Sequence, residues 1–261
     1  MNTILMRQGS KQRIAKNIIQ HFPKHTTYIE MFFGAGGLFF KKPKVKFNIC
    51  NDVDSDVFNL WKVLQDEETK DKFYKYISDV IHHEDILKYW QQNKETESVK
   101  QAARFIFLSN FTFYSGGSTI VHLNFKPKEV IIKKVEETYD FIKDVSFTNK
   151  DFREVLKSID DVLYTQERGA FLYADPPYLG TKSIMYGNDW QQKDTEDLFE
   201  ILVNSGIRFA ISEFNGGIIP DLINKYDLYI TEIGERKNIS KKQNEILITN
   251  YDVNKVINRI F

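Results

Sequence analysis

The chain has 261 residues, with 36 basic and 36 acidic side chains and a formal net charge of zero. This balance excludes a protein that holds nucleic acid by bulk positive charge, although it leaves room for local basic surfaces. Hydrophobic residues make up 42% and charged residues 28% of the chain, which excludes wholesale disorder. The length allows one large α/β domain, or a core domain that carries a sizeable insertion.

Signals for export, membrane insertion and structural metal are missing. The opening residues, MNTILMRQGSKQR, lack the apolar core of a signal peptide, and every apolar run is shorter than the ~18 residues that span a bilayer. Cys50 is the only cysteine, and no Cys/His cluster has zinc spacing. We therefore expect a cytoplasmic protein with no membrane anchor and no metal.

The first sixty residues follow a β/α pattern. Apolar residues at helical spacing predict a short amphipathic helix within 10–21. Alternating and β-branched residues predict strands at 26–32 and 45–50, and a helix is predicted over 54–64. Together they indicate the beginning of a βαβ arrangement.

From about residue 60 to 144, long helical patterns dominate the sequence. Helices are predicted at 68–81, 84–92 and 98–108, followed by loops or a hairpin over 109–124. After residue 145 the β/α alternation returns. Strands are predicted at 145–148, 170–174, 207–212, 227–233 and 245–250, and helices at 152–158, 194–204 and 217–225. The simplest interpretation is one open, mostly parallel sheet interrupted by a helical insertion, with the last two strands as an antiparallel hairpin.

A glycine-rich turn follows the first predicted strand. The residues from Glu30 to Gly37 read EMFFGAGG, and glycines at this point let the backbone turn tightly and approach a ligand closely. Phe39 stands where the G-x-G-x-x-G dinucleotide pattern has its third glycine, which disfavours a nicotinamide oxidoreductase.

Asp52 lies just past the second predicted strand, 16 residues beyond Gly36. A carboxylate at this point accepts hydrogen bonds from ribose hydroxyls in nucleotide-binding α/β folds. The alternative is that Asp52 caps the following helix. The glycine turn and Asp52 together favour a cofactor that contains a nucleoside.

The most specific motif is Asp175-Pro176-Pro177-Tyr178, directly after the predicted strand 170–174. Two consecutive prolines keep the backbone extended and remove two N–H donors. The segment therefore presents carbonyls, one carboxylate and one aromatic ring, which suits a planar ligand with an amino group. Asp175 and the Pro176 carbonyl are the two acceptors, and Tyr178 is the stacking ring.

The order of these motifs resembles that of the DNA adenine-N6 methyltransferases that use S-adenosylmethionine, in the α group with the Dam-like, D12-class enzymes. The resemblance covers most of the chain. It implies an α/β, Rossmann-like methyltransferase sheet with an inserted, mainly helical target-recognition domain. Residues 1–59 and 145–261 would form the catalytic domain, and 60–144 the target-recognition domain.

The resemblance also assigns cofactor-binding residues. Gly9-Ser10-Lys11 is similar to the family's Gly-Gly-Lys, and Asp151-Phe152 to its Asp-Phe pair, whose acid receives the adenine amino group of the cofactor. The implied cofactor-binding residues are Lys11, Phe32, Gly34, Gly36, Asp52, Asp151, Phe152 and Asp175.

Two further segments resemble the family. Residues 103–116 are similar to its A-R-F-x-x-L-x-N…F-x-G segment, and 236–248 to the closing segment that ends in Glu-Leu-Leu, here Glu245-Ile246-Leu247. Basic stretches at 41–46, 126–134 and 236–242 are interpreted either as solvated faces or strand edges, or as DNA contacts. The candidate contacts with double-stranded DNA are Arg104, Asn110, Lys126, Lys128, Lys133 and Lys134.

The sequence also departs from the family pattern. Ser10 stands in place of a glycine, and Met31 in place of the proline often found before Phe32. Gly116 is followed by GSTIVHLNF rather than by the arginine-rich hairpin that Dam-like enzymes use on GATC. Because Arg and Lys are the usual readers of guanine, GATC specificity does not transfer to this chain.

The implied reaction passes a methyl group from the sulfonium of S-adenosylmethionine to N6 of adenine. Asp175 and the Pro176 carbonyl would localise the nitrogen lone pair, by positioning and preorganisation rather than by general base catalysis. The base must first leave the duplex, at a cost of a few kcal/mol. Stacking on Tyr178 would recover roughly 1–3 kcal/mol of that cost.

Other classes are weighed against this one. The closest enzymatic rival is an RNA adenine-N6 methyltransferase, and a different class is a catalytically inactive DNA-binding paralogue. Cytosine-C5 transfer needs a Pro-Cys nucleophile, and Cys50 has no preceding proline. Cytosine-N4 enzymes more often carry serine at the position of Asp175.

Overall fold

The computed structural model describes residues 1–113, 119–120, 127–159, 169–178, 190–237 and 242–257. Within these, only the backbone is described at 127, 235–237, 242–243 and 256–257. The chain forms two compact units. The first unit contains Met1–Gln12, Gly34–Lys41 and Asp54–Asn149, and the second contains Arg13–Phe33, Lys42–Val53 and Lys150–Phe261.

The described strands, in chain order, are β1 (Thr27–Glu30), β2 (Phe47–Asn51), β3 (Ser146–Thr148), β4 (Ala170–Ala174), β5 (Arg208–Phe214), β6 (Tyr229–Lys237) and β7 (Lys242–Thr249). The described α-helices are α1 (Ala15–Ile19), α2 (Ser55–Gln65), α3 (Glu67–Asp79), α4 (Glu84–Gln92), α5 (Ser98–Asn110), α6 (Pro127–Ile142), α7 (Phe152–Val155), α8 (Gln192–Asn204), α9 (Ile219–Lys225) and α10 (Val253–Ile257).

The second unit is built on a twisted sheet in which β2, β1, β4 and β5 are parallel neighbours in that order. The register places Ile29 beside both Ile49 and Leu172, and Leu172 beside Phe209. β7 runs antiparallel to β5 on one side and to β6 on the other. This is a Rossmann-like, mostly parallel sheet, as predicted from the sequence, and the terminal antiparallel hairpin is confirmed.

The central strands of the second unit are buried on both faces, which explains their continuous apolar sequences. In β4, the four residues Phe171–Ala174 have no measurable exposure. Leu198, Phe199 and Leu202 of α8 cover one face of the sheet and are equally buried. Each such side chain contributes about 1.5–3 kcal/mol to stability by leaving water. The core formed by these side chains holds the strands together.

The first unit is mainly helical. Acidic side chains cap three of its helices: Asp54 begins α2, Asp66 begins α3 and Glu97 begins α5. The Trp61 ring packs against Phe40, with ring centroids 5.5 Å apart. The predicted segment 60–144 lies within this unit, which also includes the N-terminal residues, and the assignment of a target-recognition domain stays a prediction.

Two predicted regions differ from the structure, and one helix was not predicted. The region 10–21 is a short 3₁₀ turn followed by α1, and not one amphipathic helix. α5 continues to Asn110, into the stretch predicted as loop, and the hairpin character of that stretch is limited to one antiparallel bridge between Thr112 and Ile120 among the described residues. The predictions at Gly116 and Lys126 lie outside the described residues.

The third difference is α6, which the sequence reading missed. Its lysines and glutamates suggest a solvated basic stretch, but Ile131, Val135 and Ile142 are fully buried. These positions repeat at helical spacing, so the pattern was present but was masked by the surrounding charge. The described part of the chain contains no helix long and apolar enough to traverse a bilayer.

Candidate active site

Three carboxylates lie at the end of, or directly after, three neighbouring strands of the second unit. Glu30 ends β1, Asp52 comes directly after β2, and Asp175 comes directly after β4. Because parallel strands place their carboxyl ends at one edge of a sheet, these acids share an edge, which is where open α/β sheets bind ligands. Glu30 is 3% exposed and Asp52 is 5% exposed.

The carboxyl of Glu30 has a strongly raised pKa. Burial raises the pKa of its carboxyl to about 8; the hydrogen bond from Tyr28 opposes the shift, and the charges of Asp175 and Asp52 add to it. The Tyr28 hydroxyl donates to Glu30 Oε2 at 2.7 Å. Glu30 begins the glycine-rich motif, for which no role of this acid was predicted. Its position at the end of a predicted strand could have indicated that it lies at the site.

A buried cation accompanies this group. The Lys42 ammonium lies 4.1 Å from the centre of the Tyr28 ring, and burial lowers the pKa of Lys42 to about 8. Cys50, on the neighbouring strand β2, is fully buried, and burial raises the pKa of its thiol well above the ordinary value. A protonated, enclosed thiol suits its predicted role as a small hydrophobic residue.

Asp52 is not a helix cap. α2 begins at Ser55, and its N-cap is Asp54, whose Oδ1 accepts the Asp56 backbone N–H at 3.0 Å. The alternative that Asp52 is needed to start the helix is therefore removed. Asp52 is thus a buried carboxylate at the end of β2 that the N-cap of α2 does not require.

Asn51, immediately before Asp52, joins two parts of the second unit. Its Nδ2 donates to the Met31 carbonyl at 3.1 Å and to the Lys150 carbonyl at 2.9 Å, and its Oδ1 accepts the Lys150 N–H at 3.0 Å. The residue is 1% exposed. Asn51 thus holds the residue before Asp151-Phe152 against the end of β1, a function that the sequence reading missed.

An aromatic cluster contains two of the predicted cofactor residues. The rings of Phe32, Phe152 and Trp190 lie 5.4–5.7 Å from one another between centroids. The Trp190 indole N–H donates to Thr195 Oγ1 at 2.9 Å, which sets the orientation of the indole. Trp190 lies outside every quoted motif, and only the tertiary structure brings it to Phe32.

Asp151 caps the short helix α7. Its Oδ1 accepts the Arg153 backbone N–H at 2.9 Å. The Arg153 guanidinium lies 4.3 Å from the centre of the Phe152 ring and pairs with Asp194 at 2.5 Å and Asp197 at 2.8 Å. These contacts hold the Asp151-Phe152 pair in place while leaving the Asp151 side chain about half exposed.

In the first unit, the predicted glycine turn has the backbone that its glycines allow. Gly34 and Gly36 have φ values of +49° and +62°, and the Gly34 carbonyl accepts the Trp61 indole N–H at 3.0 Å. Among described atoms, none lies within 4 Å of the place where a Gly34 side chain would begin, so this side of the turn is open. Lys11 is 5% exposed.

The Asp-Pro-Pro-Tyr motif follows β4 as predicted. Asp175 and Pro177 are partly exposed, and Pro176 is buried. Tyr178 is 6% exposed; its hydroxyl donates to Glu245 Oε1, and its ring meets the Phe214 ring edge-on at 4.3 Å. The contact between Tyr178 and Glu245 joins the two segments that the sequence analysis quoted separately.

The predicted DNA contacts differ in what their side chains do. Arg104 Nε donates to the carbonyls of Trp90 and Asn93, and the Asn110 amide bonds both Met6 N–H and the Ile4 carbonyl. These bonds favour a scaffold role for both residues within the first unit, so their assignment as DNA contacts stays a prediction that the geometry does not favour.

Two of the candidate lysines on α6 are bonded within the protein, and a third is exposed. Lys128 Nζ donates to the Val80 carbonyl at 3.0 Å, and Lys134 Nζ donates to the Thr3 carbonyl at 2.9 Å. Lys133 is exposed and is the best presented of the described lysine candidates.

The parallel sheet, its acidic carboxyl edge and the Asp-Pro-Pro-Tyr segment after β4 together define a Rossmann-like methyltransferase. Comparison with known families narrows this class. Residues 8–239 match the model of the D12 class N6 adenine-specific DNA methyltransferases. The chain belongs to this family.

Two relatives are distant in sequence but similar in length. The chain is 22% identical to the type II methyltransferase M1.LlaDCHI of Lactococcus lactis subsp. cremoris, over 93% of each chain. It is 23% identical to a DNA adenine methylase of Serratia marcescens, over 92% of this chain and 94% of that one. A solved rRNA methyltransferase, aviRa from Streptomyces viridochromogenes, aligns with a TM-score of 0.43 and 11% identity, over 94% of this chain and 87% of that one.

Proposed function

We propose that this protein is a site-specific methyltransferase that transfers a methyl group from S-adenosylmethionine to N6 of an adenine flipped out of double-stranded DNA. The observation that carries the proposal is the position of Asp175-Pro176 at the carboxyl end of β4, on the edge shared with Asp52. This shared edge supports the assignment of the Asp175 carboxylate and the Pro176 carbonyl as acceptors for the amine, and of Asp52 to the nucleoside. We further propose that the protein works in the cytoplasm.

The residues of the second unit fit the nucleoside part of this cofactor. The Asp52 carboxylate suits the ribose hydroxyls, and the rings of Phe32, Phe152 and Trp190 suit an adenine base. The Asp151 carboxylate suits its amino group. In the first unit, the open side of Gly34 allows close approach of a ligand to the backbone, and Lys11, Gly34 and Gly36 remain the predicted contacts there. When bound, S-adenosylmethionine supplies an electrophilic methyl group on a sulfonium.

The chemical work of the chain falls on Asp175 and Pro176. The lone pair of adenine N6 is delocalised into the ring, which makes the amine a poor nucleophile. Acceptance of its two N–H bonds by the Asp175 carboxylate and the Pro176 carbonyl favours a tetrahedral nitrogen and turns the lone pair outward. Transfer would form the N–C bond as the S–CH3 bond of the sulfonium breaks, leaving S-adenosylhomocysteine, and the nitrogen would release one proton for Asp175 to receive and pass to solvent.

Asp175 has no need to remove that proton before attack. An ordinary aspartate, with a pKa of about 3.9, is far too weak a base for a neutral aryl amine. Catalysis is therefore expected to come mostly from positioning and from preorganised acceptors. Tyr178 is proposed to stack on the flipped base and to offset part of the cost of unstacking.

The test is methyl transfer from tritiated S-adenosylmethionine to unmethylated genomic DNA or to total RNA, followed by digestion to nucleosides. Label in N6-methyldeoxyadenosine from DNA is the expected result, and sequencing of the product would then map the target. Label only in RNA, or none in either with cofactor binding intact, would overturn the proposal.

Two variants sharpen this test. Asp175→Ala should lower transfer to DNA by about 100-fold or more, as loss of a preorganised partner does elsewhere. Its affinity for S-adenosylmethionine, measured by calorimetry, should fall far less than its rate of transfer and less than that of Asp52→Ala. Asp221→Ala is the matched control, because Asp221 is an exposed aspartate on α9 of the same unit and should behave as wild type.

A further inference from the structure

Tyr178 is held at two points by a pair of residues on neighbouring strands. Phe214 ends β5 and Glu245 lies in β7, and the two are directly opposite each other in the antiparallel register. The Tyr178 ring rests edge-on against Phe214 with centroids 4.3 Å apart and an interplanar angle of 63°. Its hydroxyl donates to Glu245 Oε1. The ring therefore reaches from the end of β4 across β5 to β7.

Together, these two contacts fix the plane of the Tyr178 ring. The contact with Phe214 limits rotation of the ring about its long axis, and the hydrogen bond to Glu245 fixes the far end of that axis. Without the hydrogen bond, the side chain would keep its attachment after Pro177 but could swing about its χ1 torsion. Stacking of a base needs a ring whose plane is set before the base arrives.

The burial of this pair indicates that the carboxylate has a purpose other than filling space. Glu245 is 4% exposed and Tyr178 is 6% exposed. A buried carboxylate costs free energy unless a donor compensates it, and a leucine would fill a similar volume without that cost. Burial raises the pKa of the Tyr178 hydroxyl well above the ordinary value, and the charges of Asp175 and Glu245 raise it further, so the hydroxyl stays a donor.

We propose that Glu245 is a positioning residue for target-base capture: it sets the plane of the Tyr178 ring on which the flipped adenine stacks. The proposal rests on the proposed function, and it assigns a role to a residue remote in sequence from the Asp-Pro-Pro-Tyr motif. Glu245 would touch neither the base nor the cofactor. Its effect would be confined to the DNA side of the reaction.

The experiment compares Glu245→Leu, Glu245→Gln, Tyr178→Phe and the double variant Tyr178→Phe/Glu245→Leu on a duplex carrying the mapped target. Glu245→Leu removes the acceptor and keeps the volume, whereas Glu245→Gln keeps an acceptor oxygen. The measurements are KM for DNA and kcat, together with the Kd for S-adenosylmethionine by calorimetry. Ser212→Ala is the matched control, because it removes the fully buried hydroxyl that pairs with Tyr173 at 2.8 Å in the same sheet.

The expected result is a roughly tenfold rise in KM for DNA in Glu245→Leu and in Tyr178→Phe, as for the loss of one buried hydrogen bond. The Kd for S-adenosylmethionine should stay within about twofold of wild type, because that ligand meets other residues, and Glu245→Gln should retain most of the wild-type KM. The double variant should be no worse than either single variant, because both remove the same interaction. Ser212→Ala should leave KM unchanged.

The results that would overturn the positioning role differ from those that would overturn the proposed function. A wild-type KM in Glu245→Leu, additive losses in the double variant, or a Glu245→Gln variant as impaired as Glu245→Leu would overturn the positioning role while the proposed function stands. If Glu245→Leu does not fold, Tyr178→Phe decides, and an unchanged KM for DNA overturns the proposal. Absence of transfer by the wild-type protein on DNA would overturn the proposed function and this inference together.

Discussion

The side chain of Asn51 and the backbone of Lys150 form a closed pair of hydrogen bonds. Asn51 Nδ2 donates to the Lys150 carbonyl at 2.9 Å, and the Lys150 N–H donates to Asn51 Oδ1 at 3.0 Å. These residues are 99 positions apart in sequence. The pair fixes the segment that leads into Asp151-Phe152, so the position of the predicted adenine-binding residues depends on an amide at the end of β2.

Asn51→Ala should therefore destabilise the protein and disturb cofactor binding together. The change leaves one buried and two partly buried backbone groups without the Asn51 side chain as partner, which we expect to cost about 2–4 kcal/mol of unfolding free energy. Urea unfolding monitored by circular dichroism measures this loss. Asn59→Ala is the control, because it removes a single hydrogen bond to the Ser98 carbonyl and should cost about 1 kcal/mol or less. Equal losses in the two variants would contradict the role given to Asn51.

Asp52→Ala should weaken binding of S-adenosylmethionine by about 10- to 100-fold, the usual effect of losing hydrogen bonds to a charged acceptor. Titration calorimetry measures the change. Asp54→Ala is the neighbouring control: it removes the N-cap of α2 and the ion pair with the buried Arg7, and should lower stability by about 3–5 kcal/mol without a comparable loss of cofactor affinity. Unchanged affinity in Asp52→Ala would refute its assignment to the ribose.

Gly37→Ala tests the packing of the glycine turn against the N-terminal segment. A side-chain carbon at Gly37 would lie 2.2 Å from Ser10 Oγ, 3.0 Å from the Gln12 backbone nitrogen and 3.1 Å from the Lys11 backbone nitrogen. We expect a loss of about 1–3 kcal/mol in unfolding free energy, as for other overpacked sites. Gly216→Ala is the control, since no described atom lies within 4 Å of its new carbon.

Ser10→Gly should restore part of that loss when combined with Gly37→Ala. It removes the closest contact, the serine oxygen, but leaves the two backbone contacts in place. No recovery would show that the contact with Ser10 is not what constrains Gly37, and complete recovery would show that the two backbone contacts add no strain of their own. The comparison also bears on Ser10 itself, which stands where the family carries glycine.

Glu30 should make stability fall as pH rises. Its folded pKa of about 8 lies above the ordinary value of 4.5, so the folded state holds an extra proton between these two values. The stability that Glu30 contributes is fully present below about pH 4.5 and is lost as pH rises through 8. As pH rises, the unfolding free energy of wild type should therefore fall relative to that of Glu30→Gln, by up to about 1.4 kcal/mol per pH unit. Denaturant unfolding at pH 5, 6.5 and 8 measures it, and a pH-independent difference would rule out the raised pKa.

Lys133→Gln should reduce the salt dependence of DNA binding, because its side chain is exposed on α6. Loss of one phosphate contact lowers the slope of log K against log salt by about 0.9. Binding to duplex DNA at several salt concentrations, followed by fluorescence anisotropy, measures the slope. Lys75→Gln, an exposed lysine of α3, is the control. An unchanged slope for Lys133→Gln would remove it from the DNA contacts.

Much of the site was readable without coordinates. The strand 170–174 was predicted with its observed bounds, because a run of apolar residues ended by Asp175-Pro176-Pro177 allows little else. The glycine turn and the open parallel sheet also followed from local pattern. The charged helix α6 was missed because its buried residues are spaced one turn apart among lysines and glutamates.

The sequence by itself determined the chemistry of the site: a carboxylate and a proline carbonyl after one strand, and an acid after another. Only the tertiary structure decided which residues hold the neighbours of these groups, such as Tyr178 and Lys150. Glu245 reaches Tyr178 from 67 positions away, and Asn51 reaches Lys150 from 99. Local pattern reports the geometry of neighbouring residues in the chain, whereas such contacts depend on strand order and register, which are set by packing of the whole core.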